Sequence, residues 1–266
     1  MSWSLFKVNI KTNKFIWIIL TCVYCFYFAS IILMFDPEKT EALNEVLDMF
    51  PESMIKAMGF DEFGTTLLTF ISSYMYGFLI FLFPMVLSIV INHRIIASHV
   101  DKGSMAYLLS TPNSRVKIAF TQAVSGLASI TLFFIVTTSF AIVVSEVMFP
   151  GLLETGKFIM LNIYALLMYY AIGGIGFFAS CIANESKLSL SIGVGVPVTF
   201  LVLQMLGNAG EKFSWLKNLS LYTLFNPNKL IEGSSFSYIA MFIFTVIAVI
   251  LYTGGILTFN KRDLPI

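Results

Sequence analysis

The chain has 266 residues, of which 58% are hydrophobic and 12% charged, with a net charge of +1 and a mean hydropathy of +0.86. An ordinary soluble domain carries about 25% charged residues; the charges here are too few to cover a water-facing surface, so the apolar excess must face lipid. No basic run has the footprint of a nucleic-acid binder, and the histidines, His93 and His99, and cysteines, Cys22, Cys25 and Cys181, form no metal-ligand pattern.

In chain order, residues 2–14 come first. Trp3, Leu5, Phe6, Val8 and Ile10 are interleaved with Lys7, Lys11 and Lys14, which predicts a short N-terminal helix lying in the membrane interface. Charge-free stretches follow at 15–35, 63–91, 118–145, 158–184, 188–210 and 233–260. Each reaches the length of about 20 residues that a helix needs to cross a hydrocarbon core. They are apolar on all sides, and a helix satisfies its own backbone without water, so the expectation is an all-α polytopic membrane protein with six transmembrane helices in one domain. The first stretch is too long for a removed signal peptide and no small-residue cleavage site follows it, so it is read as a retained span. Cys22 and Cys25 form a C-x-x-C within it, but no second ligand pair closes a metal site, and packing residues is the reading taken.

Residues 36–62 are acidic, with Leu43, Val46, Leu47, Met49, Ile55 and Met58 near helical spacing, broken by Pro51. This predicts one or two amphipathic helices on the outer surface. The second span carries Pro84 and the fifth Pro197. Prolines at matching places in two three-span halves fit a transport pathway and equally fit ordinary membrane-helix prolines. In the loop between the second and third spans, Gly103 and Ser104 start a turn with Ser104 as its cap. Tyr107, Leu108 and Leu109 give it an apolar face, Pro112 ends it, and Ser114 caps the third span. Such an element suits docking to a soluble partner, or serves as an elbow resting on lipid. Residues 151–157 read G-x-x-x-x-G-K, but Phe158 stands where a phosphate-binding loop needs Ser or Thr for magnesium. Residues 208–232, with Trp215, Leu216, Leu219, Tyr222 and Phe225, are too apolar for a free loop and predict a re-entrant or interfacial segment.

With six spans, both termini share one side. That side holds ten Lys and Arg with three acids; the other holds six Lys with twelve acids. Positive loops stay inside, which puts both termini in the cytoplasm of a cell-membrane protein. Within the spans the polar residues are neutral, Gln122, Asn162 and Gln204 among them. That counts against a proton-coupled carrier and a charged-ring channel. With no charge inside the spans, the energy source is expected outside this chain; no H-E-x-x-H or G-x-S-x-G occurs either.

Asp101, then Gly103-Ser104, then Leu108-Leu109-Ser110-Thr111-Pro112-Asn113-Ser114-Arg115 between the second and third spans resembles the type-2 ABC export permeases. The resemblance extends over most of the chain, through the N-terminal helix, the segment before the sixth span with Asn226-Pro227, and the ending Phe259-Asn260-Lys261-Arg262-Asp263. Ser104 stands where Thr is usual and Asp101 where Glu is often found. The resemblance implies that this loop is a cytoplasmic coupling helix, with Asp101, Gly103, Ser104, Leu108, Leu109, Pro112 and Arg115 as its ATPase-facing element and Lys102 and Tyr107 between them. It implies two cytoplasmic ABC ATPase subunits that bind ATP and Mg, a second permease chain in a homodimer or a heterodimer, and no cofactor or metal in this chain. It also implies that the second and fifth spans line the path, here through Phe70, Tyr74, Phe78, Phe81 and Pro84 and through Pro197, Phe200 and Gln204. Small size and aromatic-rich spans are similar to Gram-positive exporters of lantibiotics, bacteriocins and phenol-soluble modulins, which implies an amphipathic, peptide-like substrate. The rival readings are an ATP-independent channel or carrier, a lipid-modifying membrane enzyme, and a toxin-immunity protein using the acidic outer loop.

Overall fold

The computed structural model describes residues 1–36, 51–57 and 64–262, and no strand occurs among them. The helices are α1 (Trp3–Met34), α2 (Glu52–Ala57), α3 (Leu67–Asp101), α4 (Met105–Leu109), α5 (Arg115–Met148), α6 (Thr155–Ile182), α7 (Ser186–Ala209), α8 (Pro227–Ile231) and α9 (Ser235–Lys261). Six of them, α1, α3, α5, α6, α7 and α9, are long and apolar enough to cross a membrane, and each contains nearly all of one predicted stretch. The chain is therefore an all-α polytopic membrane protein. Apart from α2, the amphipathic helices predicted for residues 36–62 lie mostly outside the described residues.

α6 is the central helix. Tyr164, Met168, Tyr169 and Phe177 are buried on it, and α3, α5, α7 and α9 pack around it. Small residues set the close approaches. A Cβ added to Gly255 of α9 would stand 2.9 Å from the Phe177 ring, and one on Gly193 of α7 would stand 3.5 Å from the Gly176 Cα. With lipid on one side and protein on the other, van der Waals fit rather than water exclusion drives such contacts. α1 closes the bundle against α5. There Tyr24 meets Phe28 edge-on at 5.1 Å and packs on Phe133 at 5.2 Å. Outward side chains such as Phe15 (72% exposed), Phe26 and Phe242 form the lipid-facing surface.

Residues 2–14 are not a separate interfacial helix. α1 runs unbroken for 32 residues, about 48 Å at 1.5 Å per residue, against a hydrocarbon core of about 30 Å. Lys7, Lys11 and Lys14, which suggested an interfacial face, stay exposed, while Ser2, Asn9 and Trp17 form a seam with α5. Asn9 Nδ2 donates to Gln122 Oε1 and, at 2.9 Å, to Ser125 Oγ; Ser2 N donates to Thr121 Oγ1 at 2.8 Å; Trp17 Nε1 donates to the Ser129 carbonyl at 3.0 Å. These bonds hold the first turns in line with the span.

α3 also departs from expectation, continuing ten residues past 91 to Asp101. Charge ended the apolar run there, but Ile95, Ile96 and Val100 remain buried and keep the helix against the bundle. Thr66 and Thr69 form a reciprocal capping box at its start. Two wide π turns, Ser72–Leu79 and His93–Ala97, lie on either side of Pro84. Proline has no N–H to give the carbonyl four residues back; the Tyr169 hydroxyl of α6 donates to that Ile80 carbonyl instead, at 2.5 Å. Further along, Asn92 Nδ2 donates to the Ser88 and Gly173 carbonyls at 2.9 and 3.1 Å. Ser180 Oγ donates to the Asn92 carbonyl at 3.0 Å and pairs with Ser189 Oγ at 2.8 Å. This chain of neutral polar groups joins α3, α6 and α7.

The segment between α7 and α9 folds back on the bundle as two 3-10 turns, Glu211–Leu219 and Leu221–Leu224, followed by α8. Gly207 permits this, because an added Cβ would stand 2.6 Å from Lys217 Cγ and 3.0 Å from its backbone nitrogen. Tyr222 and Phe225 are buried, Tyr222 against Phe81 at 4.7 Å and Phe225 against Tyr164 at 4.8 Å. The Tyr164 hydroxyl donates to the Leu224 carbonyl. Phe213, Trp215 and Leu219 stay exposed. The predicted apolar segment is thus anchored by its second half and open along its first.

Candidate functional site

The elbow between α3 and α5 lies at the end of the bundle that holds the start of α1 and the end of α9. α3 stops at Asp101, and Gly103 turns the chain with φ +68°, a left-handed conformation that favours glycine. α4 follows for five residues. Its inner side is Met105, 2% exposed, with Leu108 and Leu109 half-buried against the core. Its tip is Tyr107, 79% exposed. Ser104, expected as the cap of this helix, makes no capping bond; its hydroxyl pairs with His99 Nδ1 at 2.9 Å and ties the turn back to α3. At the other end Ser110 Oγ and Thr111 Oγ1 donate to the carbonyls of Tyr107 and Leu108 at 2.9 and 2.6 Å, just before Pro112. Ser114 caps α5 as predicted, accepting from Lys117 N at 3.2 Å.

Two of the candidate ATPase-facing residues bind other parts of the same chain. The Asp101 carboxylate accepts from Ser186 Oγ at 2.9 Å and Ser186 N at 3.3 Å, so an anion sits on the first residue of α7. A negative charge there suits the positive end of the helix dipole. Arg115 Nη1 donates to the Arg262 carbonyl at 2.7 Å. Arg262 in turn donates to the Cys181 and Ala183 carbonyls at 2.6 and 2.7 Å and to Asn184 Oδ1. The two carbonyls are end-of-helix acceptors of α6 that lack intrahelical donors. Burial lowers the Arg262 pKa from its ordinary value, yet a guanidinium stays cationic. The elbow, the starts of α5 and α7 and the ends of α6 and α9 are thereby linked. Lys102, Gly103, Tyr107 and Pro112 remain on the exposed side. Nothing local in the sequence pointed Ser186 or Arg262 to these partners, which are 85 and 81 residues away.

The residues expected along a path are distributed over several places. Phe70 is buried against Phe35 at 5.3 Å and Tyr74 at 4.8 Å, toward α1. Phe78 is half-buried, and Pro84 and Pro197 are buried within their helices. Phe81 and Gln204 meet at a cavity of about 410 Å³ at the end of the bundle away from the elbow, which Ser72, Asn208, Lys217 and Lys229 also line. Phe200 borders an adjoining groove of about 390 Å³. The phosphate-loop-like run is the turn after α5, with Gly151 at φ +73°, and the first residues of α6; α5 rather than a strand precedes it, and Lys157 pairs with Glu154 at 2.8 Å. Cys22, Cys25 and Cys181 are unpaired thiols, and no group of metal-ligand side chains forms among the described residues.

The family model for ABC-2 family transporter protein matches residues 6–264, nearly the whole chain and all six candidate spans. No curated protein and no solved structure matches it. A six-helix membrane bundle with an ordered elbow between its second and third long helices, matched over nearly its whole length by that family, is a permease, and the chain belongs to the ABC-2 family of transporter proteins.

Proposed function

We propose that the chain is the permease of an ATP-driven exporter in which two copies pair and the elbow of each docks on a separate cytoplasmic ATPase subunit that binds ATP and Mg. The observation that carries this reading is α4, a short helix with an apolar inner side locked into the bundle and one large side chain, Tyr107, projecting from it. Membership of the ABC-2 family supports an ATPase partner. The excess of Lys and Arg at the elbow end supports a cytoplasmic elbow and cytoplasmic termini.

In this reading the ATPase moves α4, and the displacement passes through Asp101 to α7 and through Arg115 and Arg262 to α5, α6 and α9. Nucleotide can shift the permease between inward- and outward-facing states only as far as the ATPase contacts differ between them. The cargo is proposed to be amphipathic or hydrophobic peptides or similar small antimicrobial molecules. The aromatic side chains along α3 support this, since they accept an apolar face without requiring one sequence. The test is ATP hydrolysis by the reconstituted complex with and without an amphipathic peptide. Gly103→Pro is the informative variant, because proline holds φ near −65° and cannot take the +68° of the elbow. It should abolish peptide-stimulated hydrolysis; unchanged stimulation would remove the coupling role.

A further inference from the structure

The cavity at the far end of the bundle has a composition that neither the elbow nor the coupling pathway uses. It is walled by α3, α7 and the segment before α9, and encloses about 410 Å³, within the range of small-molecule sites. Among the described residues its lining carries two ammonium groups, Lys217 and Lys229, and no carboxylate. Lys229 Nζ is held over the Phe236 ring at 4.3 Å from the centroid, which fixes one cation on the wall by attraction to the ring face. Two further lining groups have buried atoms without hydrogen-bond partners: Ser72 Oγ, on a side chain 1% exposed, and Gln204 Oε1. Unpaired polar atoms at depth are costly unless something else pairs with them.

A second space adjoins this one. The groove of about 390 Å³ shares Lys217 and Thr223 with the cavity, and its other walls include Phe200, Leu219, Leu221 and Leu224. A polar, cationic chamber therefore opens beside an apolar, surface-facing trough, with Lys217 at the join. That arrangement matches an amphiphile with an anionic head and a hydrocarbon tail.

We propose that this is a phospholipid site, in which the phosphate of an anionic phospholipid lies between Lys217 and Lys229 and one acyl chain follows the groove along Leu219, Leu221 and Phe200. Ser72 and Gln204 line the wall beside the headgroup. The proposal needs neither the ATPase nor any particular cargo, so it stands or fails separately from the transport reading.

The test uses the full chain, stripped of lipid in mild detergent, with binding read by native mass spectrometry and by the shift in melting temperature. The probes are dioleoyl-phosphatidylglycerol, the same lipid with six-carbon tails, dioleoylglycerol without phosphate, and inorganic phosphate. The long-chain phosphatidylglycerol should bind one per chain, and each of the other three at least about tenfold more weakly, since each lacks the head or the tail contact. Lys217→Gln with Lys229→Gln should weaken it roughly thirtyfold, about fivefold for each lysine near a membrane surface. Equal binding of dioleoylglycerol overturns the headgroup assignment. Equal binding of the short-tailed lipid or of inorganic phosphate overturns the groove assignment. A purified dimer that takes up no phospholipid assigns the groove to a second copy and overturns the proposal. If the double lysine variant does not fold, the four-probe comparison on the unaltered chain decides alone.

Discussion

Pro84 and Tyr169 illustrate how a residue-scale exchange sustains the bundle. The proline removes one donor from α3, and the tyrosine of α6 replaces it at the Ile80 carbonyl. Tyr169→Phe should lower stability by about 1 kcal/mol, the scale of interhelical hydrogen bonds in membrane proteins. The same change in a Pro84→Ala background should cost much less, because an alanine there would restore the backbone donor; chemical unfolding of the four proteins in micelles reads that cycle. Arg262 makes a second prediction. Arg262→Met removes the donors on the Cys181 and Ala183 carbonyls and should destabilise by about 1–2 kcal/mol, measured in the same way. The sequence displays Pro84 plainly but not its compensating partner, since a tyrosine 89 positions from Ile80 carries no mark of the carbonyl it meets. Arg262 likewise reads as one more inside-positive charge until α6 ends beside it.

At the scale of elements, the six long apolar runs were legible because length and all-round hydrophobicity are sufficient to specify a spanning helix. Their ends were less so, because hydropathy reports where charge begins and not where a helix stops. Lys7, Lys11 and Lys14 made the start of α1 look like a surface helix, whereas Asn9 turns inward to α5. His93 and Arg94 made α3 look finished ten residues early, whereas buried Ile95 and Ile96 carry it on to Asp101. The aromatic content of α3 was equally visible, but which ring faces α1 and which faces the far cavity depends on the π turn at Ser72–Leu79, which shifts the face that each following residue presents. The elbow was legible as an element, from Gly103 to Pro112. Its link to α7 was not. Asp101→Asn keeps the shape of the side chain but loses the charge that Ser186 and the start of α7 stabilise. The expected result is a complex that still binds the ATPase while peptide-stimulated hydrolysis falls several-fold; stimulation equal to that of the unaltered protein would show that α7 is not driven through this contact.

At the scale of the whole molecule, the two ends of the bundle differ in kind. One end gathers the start of α1, the elbow and the arginine-centred links among α5, α6 and α9. The other gathers the folded-back segment, the cationic cavity and the groove beside it. Between them the interior is held by small-residue contacts and neutral hydrogen bonds, and among the described residues no charged side chain is buried. The central claim is that the first of these ends receives the ATPase through the exposed tip of α4. The most direct measurement is co-purification in mild detergent of the chain with its co-expressed ATPase, comparing the unaltered protein with Tyr107→Glu. Tyr107 is 79% exposed, so this change should leave the melting temperature of the permease within a degree or two, as surface substitutions do. The unaltered chain should carry two ATPases per permease pair, and the Tyr107→Glu chain should purify without them. A Tyr107→Glu chain that retains its full complement of ATPase, or an unaltered chain that purifies alone both with ATP and without it, would contradict the account.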